Sequence, residues 1–274
     1  MVTQWGPASL SPEREGAATF GILRDIHDIL GTTKSHFWAC LETTGAEVKG
    51  FASTILAPSD EGGTVNLEDE FTPILSMRAT GLNAYYYTGD NNRHLVAADN
   101  ADYSYEGAAE PFSLGIWALP MEGGSALQTL IAKYDEGVAT EYSFHITSGD
   151  VLQLDLYDGI DGATGDLRAT STVSVDLHEM RFYVVTYAGA EGTVTFYKDG
   201  EQQNAADTVT PTETNSFVNM DDTAAKFFVG GRDDGGAPDD LFEGWLSQPF
   251  VTGKALTSTE VRDLYQLWRS VVGV

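Results

Sequence analysis

Carboxylates are the most abundant ionisable side chains in this 274-residue sequence: 41 residues are Asp or Glu. Glycoside hydrolysis needs two carboxylates, and a strand projects both into one cleft only when they alternate along it, as in E-x-D. The segments most similar to this motif are Glu68-Asp69-Glu70, expected in a polar loop, and Asp155-Leu156-Tyr157-Asp158, expected at a strand end. We therefore expect solvated acidic side chains, no catalytic residue and no enzymatic activity.

The other common catalytic and cofactor motifs are also missing. The five histidines are scattered without the H-x-H or H-E-x-x-H spacing of zinc sites: His27, His36, His94, His145 and His178. No G-x-S-x-G nucleophile turn and no phosphate-binding loop is present. We expect that the protein requires no cofactor.

Three acid-rich loops are candidates for a structural calcium ion, because calcium takes six to eight oxygen ligands from carboxylates and carbonyls. They are Asp99 to Asp102, Asp158 to Asp161 with Asp166, and Asp233-Asp234 with Asp239-Asp240. An ordinary solvated turn is the alternative for each loop, since Asp-Gly is also common turn chemistry.

A run of three tyrosines, Tyr85-Tyr86-Tyr87, is the strongest aromatic signal. In a strand, Tyr85 and Tyr87 share one face and Tyr86 lies on the other. Tyrosines exposed beside carboxylates form platforms for sugars, so Tyr85 and Tyr87 are candidate glycan-binding residues. The alternative is that one face of this strand belongs to the core.

The elements that must position these residues are mostly short strands. From about residue 82, apolar alternation and turn signals predict strands of roughly 5–9 residues at the spacing of a β-sandwich. Phe112, Leu114 and Ile116 alternate on one such strand, with Trp117 opposite, and Asp199-Gly200 predicts a tight hairpin. At the end, the capping box Thr257-Ser258-Thr259-Glu260 predicts a short closing helix. The fold class is therefore all-β.

The first 80 residues are interpreted as an N-terminal extension and anchoring arm, followed by a sandwich over residues 81–274. A helix is predicted over residues 11–30, where Pro12 suits the first helical position and Gly31 follows the end. Because the arm has no apparent sandwich to bury its apolar side chains, we expect them to contact a partner. These candidate assembly residues are Trp5, Ile22, Ile26, Ile29, Leu30 and Trp38. The single cysteine, Cys40, is expected to be buried and inert.

Charge restricts the partners. The formal net charge of −26 repels phosphate backbones and anionic lipid head groups, so we expect neither nucleic-acid nor membrane binding. No apolar stretch reaches the ~20 residues of a spanning helix, and Met1 to Leu10 lacks the pattern of a signal peptide. We expect either that the chain stays inside the cell that makes it or that a leader is absent from this sequence.

The order of segments resembles the laminin-G-like, concanavalin A-like jelly-roll family. The similar segments are Phe112-Ser113-Leu114-Gly115-Ile116-Trp117, Phe182–Tyr187 with Thr193–Glu201, Phe227-Phe228-Val229-Gly230-Gly231, Phe242-Glu243-Gly244-Trp245-Leu246, and Lys254-Ala255-Leu256-Thr257 leading to Glu260 and Tyr265. They cover roughly residues 82–268. The resemblance implies a structural calcium ion near Asp99 and Asp102, before the first sandwich strand. However, Leu246-Ser247-Gln248-Pro249 lacks the Asp that the family often has there.

Jelly rolls of this family mostly bind or assemble, so the resemblance implies a non-enzymatic module. A chain that shows no signal-peptide pattern and has a polar arm before a sandwich looks like a virion component of a tailed phage, such as a capsid decoration protein or surface appendage. Its expected partners are then further copies of itself or the major capsid protein, with a host-surface glycan as a further candidate. The alternative is a secreted or cell-surface carbohydrate-binding lectin module located outside the cell, and a third reading is a glycoside hydrolase or lyase.

Overall fold

The computed structural model describes residues 12–42, 48–49, 55–60, 63–64, 74–77, 82–89, 93–106, 110–123, 126–159, 166–189, 192–214 and 217–272. In these residues, two packed β-sheets are accompanied by an N-terminal helix, α1 (Pro12–Leu30), and a C-terminal helix, α2 (Ser258–Val272). The expected β-sandwich with an N-terminal and a C-terminal helix is confirmed. Neither described helix is long and apolar enough to cross a membrane.

The smaller sheet is antiparallel throughout its described pairings. In spatial order its strands are β15 (Thr208–Val209), β14 (Val194–Lys198), β13 (Arg181–Tyr187), β8 (Phe112–Pro120), β20 (Glu243–Thr252), β6 (Leu82–Thr88) and β5 (Ile74–Met77), and β1 (His36–Phe37) also pairs with β20.

The larger sheet curves over the same core. In spatial order its strands are β16 (Thr212–Thr214), β12 (Asp166–Ser174), β11 (Val151–Gly159), β10 (Ala139–Ile146), β9 (Gln128–Asp135), β17 (Phe227–Val229), β7 (His94–Ala97), β3 (Ile55–Asp60) and β2 (Val48–Lys49). Strand β4 (Gly63–Thr64) pairs with β3, and β18 (Arg232–Asp234) and β19 (Ala237–Asp239) form a hairpin at the edge of β9.

Side-chain alternation divides the apolar residues between two layers. On β8, Leu114 and Ile116 belong to the core between the two sheets, whereas Trp117 belongs to a second cluster beneath the helices. This arrangement matches the alternation predicted for the strand, because successive side chains point to opposite faces. The hairpin between β13 and β14 is followed by Asp199 and Gly200, both at positive φ (53° and 82°), as predicted for an Asp-Gly turn.

Both helices cover the outer face of the smaller sheet. Ile26 and Leu30 of α1 and Leu264 and Trp268 of α2 are buried in the cluster that contains the sheet residue Phe250. The predicted capping box begins α2: the Glu260 amide donates to Thr257 Oγ1 (3.3 Å), and the Thr257 amide donates to Glu260 Oε2 (2.9 Å). The helices therefore complete a second apolar layer.

The described part of residues 12–80 is integrated into this architecture, which corrects the expectation of a separate arm. Strand β1 pairs with β20, β3 pairs with β7, and β5 pairs with β6. The expected division between residues 1–80 and 81–274 thus falls between two paired strands, β5 and β6. The strand segments before residue 81 are short, and β1, β3 and β5 gain their hydrogen bonds from strands of the sandwich after residue 81.

The expected exposure of the assembly residues is also wrong where they are described. Ile26, Leu30 and Trp38 have no more than 1% of their surface exposed, and Ile22 and Ile29 pack against the cluster beneath the helices. Trp5 lies outside the described residues. The chain's own sandwich, rather than a partner, covers these apolar side chains.

Candidate functional site

The outer face of the larger sheet carries polar side chains where the opposite sheet carries apolar ones. Strand alternation places Ser143 and His145 of β10 and Gln153 and Asp155 of β11 on this face, while Leu154 points into the core. Ser143 lies directly opposite Asp155, and His145 opposite Gln153. The sheet thus presents a continuous patch of hydrogen-bonding groups.

Asp155 is the centre of this patch. It accepts from Arg168 of β12 through Nε (2.8 Å) and Nη2 (3.2 Å), and from Gln153 Nε2 on both oxygens (3.0 Å each). Thr170 Oγ1 in turn donates to Gln153 Oε1 (3.0 Å). Because both oxygens of Asp155 already have two donors, the carboxylate positions its neighbours and has little capacity to act as an acid or nucleophile.

His145 and Ser143 lie beneath this surface. Ser143 Oγ and His145 Nδ1 are hydrogen-bonded at 3.1 Å, and His145 Nε2 lies 3.9 Å from Asp155 Oδ2. Complete burial lowers the pKa of His145 to about 4, so its imidazole is neutral at physiological pH. The three residue types resemble a hydrolytic triad, but Ser143 and His145 have no exposed surface, so a substrate cannot reach them.

Arg232 of the β18–β19 hairpin covers an aromatic pair at the edge of the patch. Its guanidinium carbon lies 4.4 Å from the centre of the Tyr134 ring, and Tyr134 packs edge-on against Tyr157 at 5.2 Å. Nη2 of Arg232 also contacts Asp240 Oδ2 at 2.6 Å. Burial raises the pKa of Asp240 to about 6, although Arg232 opposes that shift. The stacking of Arg232 on Tyr134 therefore fixes the hairpin to the sheet, and the ion pair with Asp240 joins the two ends of the hairpin.

A groove lies on the other side of this hairpin and is termed the hairpin groove. Its residues come from β7, β17 and the β18–β19 hairpin: His94, Val96, Lys226, Phe228, Asp233, Gly236 and Pro238. Alternation places Phe228 on the outer face opposite Val96, and the rings of Phe228 and His94 are 5.3 Å apart. The Gly236 amide donates to Asp233 Oδ1 (2.7 Å), which shapes the turn that forms the wall.

The rim of the hairpin groove combines opposite charges over an apolar floor. Lys226 is exposed directly before the start of β17, two residues before Phe228 and therefore on the same face. Asp233 supplies a carboxylate from the opposite wall. Hydrogen-bonding groups around aromatic and aliphatic carbon match the mixed polar and apolar surface of a sugar ring.

Comparison with known protein families agrees with this architecture. The sequence model described as the concanavalin A-like lectin/glucanases superfamily matches residues 89–262, well over half of the chain. The chain belongs to the concanavalin A-like lectin/glucanase superfamily. A search of curated protein sequences finds no match.

Solved structures with the same fold include both binding domains and enzymes. The binding domain of botulinum neurotoxin serotype G is 13% identical with a TM-score of 0.56, over 87% of this chain and 52% of that one. A Trypanosoma rangeli sialidase mutant displaying trans-sialidase activity is 16% identical with a TM-score of 0.57, over 96% and 39% of the two chains. The binding domain of botulinum neurotoxin DC in complex with SialylT is 12% identical with a TM-score of 0.52, over 83% and 52%. This lectin/glucanase domain thus spans about half or less of each neighbour, and the likeness shows the fold.

The predicted glycan-binding tyrosines do not lie on the outer face. Tyr85 and Tyr87 have no exposed surface and pack in the core between the sheets. Tyr86 lies on the opposite face, where its ring is 5.1 Å from that of Trp245. Tyr85 and Tyr87 therefore cannot stack on a sugar from solvent. The strand follows the alternative interpretation, in which one of its faces belongs to the core.

The predicted calcium ligands contact side chains that carry or can carry a positive charge. Asp99 Oδ1 lies 2.9 Å from Lys133 Nζ, and Asp102 Oδ2 lies 3.6 Å from His36 Nε2. Asp102 is also in the turn after Asn100, whose side chain accepts from its amide. Calcium binding by Asp99 and Asp102 stays a prediction, and the ammonium group of Lys133 already neutralises Asp99.

The other acid-rich loops are arranged differently. Asp161 lies outside the described residues, while Asp158 Oδ2 accepts from the Val218 amide (3.3 Å). The described residues contain one group of three potential ligand atoms within 4.8 Å of one another, formed by Glu136, Asp234 and Asp239. Two of its members, Glu136 and Asp239, face Arg232 at 3.8 and 4.0 Å. Two of the three carboxylates therefore contact an arginine, whose positive charge offsets part of the negative charge of this loop.

Sequence reasoning missed the residues that make up the polar face. Arg168 lies on β12, a strand whose Thr- and Ser-rich sequence carries a weak strand signal. The alternation Tyr142-Ser143-Phe144-His145-Ile146 could have revealed an outward polar row on β10. Arg232 and Lys226 carried no local signal, because their roles depend on the strands β9 and β7 packed beside them.

Proposed function

We propose that this protein is a non-enzymatic carbohydrate-binding module and that the hairpin groove is its glycan-binding site. The observation that carries the proposal is the groove itself: a floor containing Phe228 and His94 lies between Lys226 and Asp233 on the outer face of the larger sheet. Lys226 would donate to hydroxyl or carboxylate oxygens, and Asp233 would accept from hydroxyl groups. The superfamily's lectins and the glycan complex of a structural neighbour support this assignment.

The non-enzymatic part of the proposal is supported by the carboxylates of the polar face. Asp155 is held by Arg168 and Gln153, and Asp240 is held by Arg232. Hydrolysis requires one carboxylate free to attack or activate water and another free to protonate the leaving group. We therefore expect no turnover on a panel of polysaccharides, and turnover abolished by one Asp or Glu substitution would contradict this expectation.

The binding site can be tested with Lys226→Ala on an array of neutral and acidic oligosaccharides. We expect the wild-type protein to bind at least one glycan, and the variant to bind it about tenfold more weakly, equivalent to about 1.4 kcal/mol. Because Lys226 is exposed and its ammonium group is outside the core, folding should be unchanged. Arg262→Ala, on the exposed side of α2, is the matched control and should bind as wild type. No binding by the wild type, or equal binding by both variants, would contradict the proposal.

A virion role is the second candidate function considered from the sequence. This hypothesis rests on an exposed anchoring arm. The burial of Ile26, Leu30 and Trp38 within the chain removes that support for the described residues. The order of segments and the acidic charge remain compatible with a capsid decoration or appendage protein, in which the glycan site would face the host surface. Co-sedimentation with purified capsids tests this candidate directly, and absence of binding would leave the free lectin module.

A further inference from the structure

Lys133 is a fully buried lysine whose ammonium group is saturated by the protein. Its side chain has no exposed surface and contacts a Glu141 carboxylate oxygen, Asp99 Oδ1 at 2.9 Å and the Thr223 carbonyl oxygen at 2.7 Å. Three N–H donors thus meet three acceptors. The amine thus contacts both carboxylates, and the three residues come from three segments: the loop after β7, strand β9 and strand β10.

Glu141 is held rigidly beside the amine. Its Oε1 atom accepts from the Thr223 amide (2.8 Å), Thr223 Oγ1 (2.9 Å) and Ser104 Oγ (3.2 Å). Its other oxygen, Oε2, is buried without a hydrogen-bond partner. Burial raises the pKa of Glu141 above its ordinary value, although Lys133 opposes the shift. A buried carboxylate with an open oxygen is well suited to accept and return a proton.

Buried aromatic side chains line one side of this group. Lys133 lies opposite Tyr142 on β10 and opposite Phe227 on β17, and both of these aromatic residues have no exposed surface. Tyr103 stacks on Phe227 with the ring centres 4.7 Å apart. Separated charges are costly in such surroundings, which favours a reaction that converts an ammonium and a carboxylate into neutral products.

We propose that Lys133 and Asp99 become joined by an amide bond in the folded protein, with Glu141 as the proton-transfer residue. The linkage is an intramolecular isopeptide bond that ties the loop after β7 to the middle of the larger sheet. It lies on the core side of that sheet and is independent of the hairpin groove.

The reaction needs no external reagent. Glu141 takes a proton from the Lys133 ammonium group, and the neutral Nζ attacks Cγ of Asp99 to form a tetrahedral centre. Glu141 returns its proton to the departing oxygen as the C–O bond breaks, and the amide nitrogen loses its extra proton to that hydroxyl. One ammonium and one carboxylate give one amide and one water, so atoms and charge balance. The Asp99 side chain is 40% exposed, which gives the water a route to solvent.

Fixed geometry lowers the barrier to this reaction, because well-oriented groups react with effective concentrations of about 10⁵–10⁸ M. The cost of keeping separated charges buried favours the neutral amide over the ion pair. A second lysine of the protein provides the contrast: Lys34 Nζ lies 2.8 Å from Glu110 Oε2, but the Lys34 side chain is 24% exposed, whereas the Lys133 side chain is fully buried. We expect no amide bond at that pair.

The experiment is mass spectrometry of the intact, denatured full-length protein. We expect the wild-type mass to be lower than the sequence mass by one water, about 18 Da. Lys133→Arg, Asp99→Ala and Glu141→Gln should each have their own sequence mass. The control Lys34→Arg should retain the loss of water.

Digestion identifies the bond, because succinimide formation at an Asp-Gly sequence also releases water. Cleavage after Glu residues should leave the fragment 71–106, which contains Asp99, joined to the fragment 123–136, which contains Lys133. Trypsin should fail to cleave after Lys133. A wild-type protein with the full sequence mass and an unlinked Lys133 peptide would overturn the proposal and leave a buried ion pair. Because the wild-type measurement decides the question, a variant that fails to fold does not prevent a result.

Discussion

The outer faces of the two sheets differ in composition. That of the smaller sheet carries Trp117, Phe182 and Phe250 and lies beneath α1 and α2. That of the larger sheet carries Ser143, His145, Asp155 and the hairpin groove. Both faces are strand surfaces in which every second side chain points outward. On the smaller sheet the chain uses its own helices to exclude water. On the larger sheet it pairs polar side chains with one another through hydrogen bonds.

This difference separates stability from recognition. An apolar face contributes through the area it removes from water, so any loss of volume there is felt by the whole fold. A polar face contributes little net stability, because its groups also bond well to water in the unfolded chain. Substitutions on the two faces should therefore change the free energy of unfolding by different amounts.

The largest expected effect is on the helix-covered face, with Trp268→Ala. The Trp268 ring is fully buried and stacks on Phe250 at 5.7 Å, so its removal should lower the free energy of unfolding by about 3–5 kcal/mol. Urea denaturation measures this change. The folded fraction of the variant should bind glycan as wild type does, because α2 covers the smaller sheet and the hairpin groove lies on the larger sheet. A loss of less than about 1 kcal/mol would show that the helix layer is dispensable and would contradict the larger contribution of the apolar face to stability.

The next effect is a pH dependence that comes from His145 on the polar face. Burial lowers the pKa of His145 from 6.5 to about 4 in the folded state. The unfolded chain therefore binds a proton first on acidification: stability is complete above about pH 6.5 and falls progressively as the pH decreases toward 4, by up to about 3 kcal/mol.

His145→Gln should remove this part of the acid sensitivity, as measured by urea midpoints between pH 7 and 4. Asp240 acts in the opposite direction, because its raised pKa of about 6 makes the folded state bind a proton before the unfolded chain does. Asp240→Asn should therefore steepen the loss of stability on acidification. An unchanged pH profile in His145→Gln would contradict the burial of a neutral imidazole.

How much of this was readable from the sequence depends on the range of the interactions. The alternation of β8, the Asp-Gly turn at Asp199 and the capping box at Glu260 are local patterns, and the structure confirms each. A period of two places Tyr85 and Tyr87 on one face but does not say which face is the core. That choice depends on pairing with β20, a strand more than 150 residues later.

The same limit explains the errors before residue 81. Strands such as β1 and β5 have two and four residues, so their sequences carry almost no periodic signal, and their places are set by β20 and β6. Lys133 and Asp99 likewise meet only through the packing of a loop against β9. Sequence patterns predicted the layers, whereas the contacts between distant segments required the structure.

The smallest expected effect is that of Arg168→Ala, which tests how much the polar face of the larger sheet contributes to the stability of the fold. The Arg168 side chain is 56% exposed, so its ion pair with Asp155 is largely screened by water and should contribute about 0–1 kcal/mol. Asp155 keeps both hydrogen bonds from Gln153 in the variant and is not left without donors. Urea denaturation should therefore give a free energy of unfolding close to that of the wild type, with Arg262→Ala as the control for removal of an exposed arginine. A loss of more than about 2 kcal/mol would mean that the polar patch supports the fold in the way the apolar face does, because such losses are typical of buried networks.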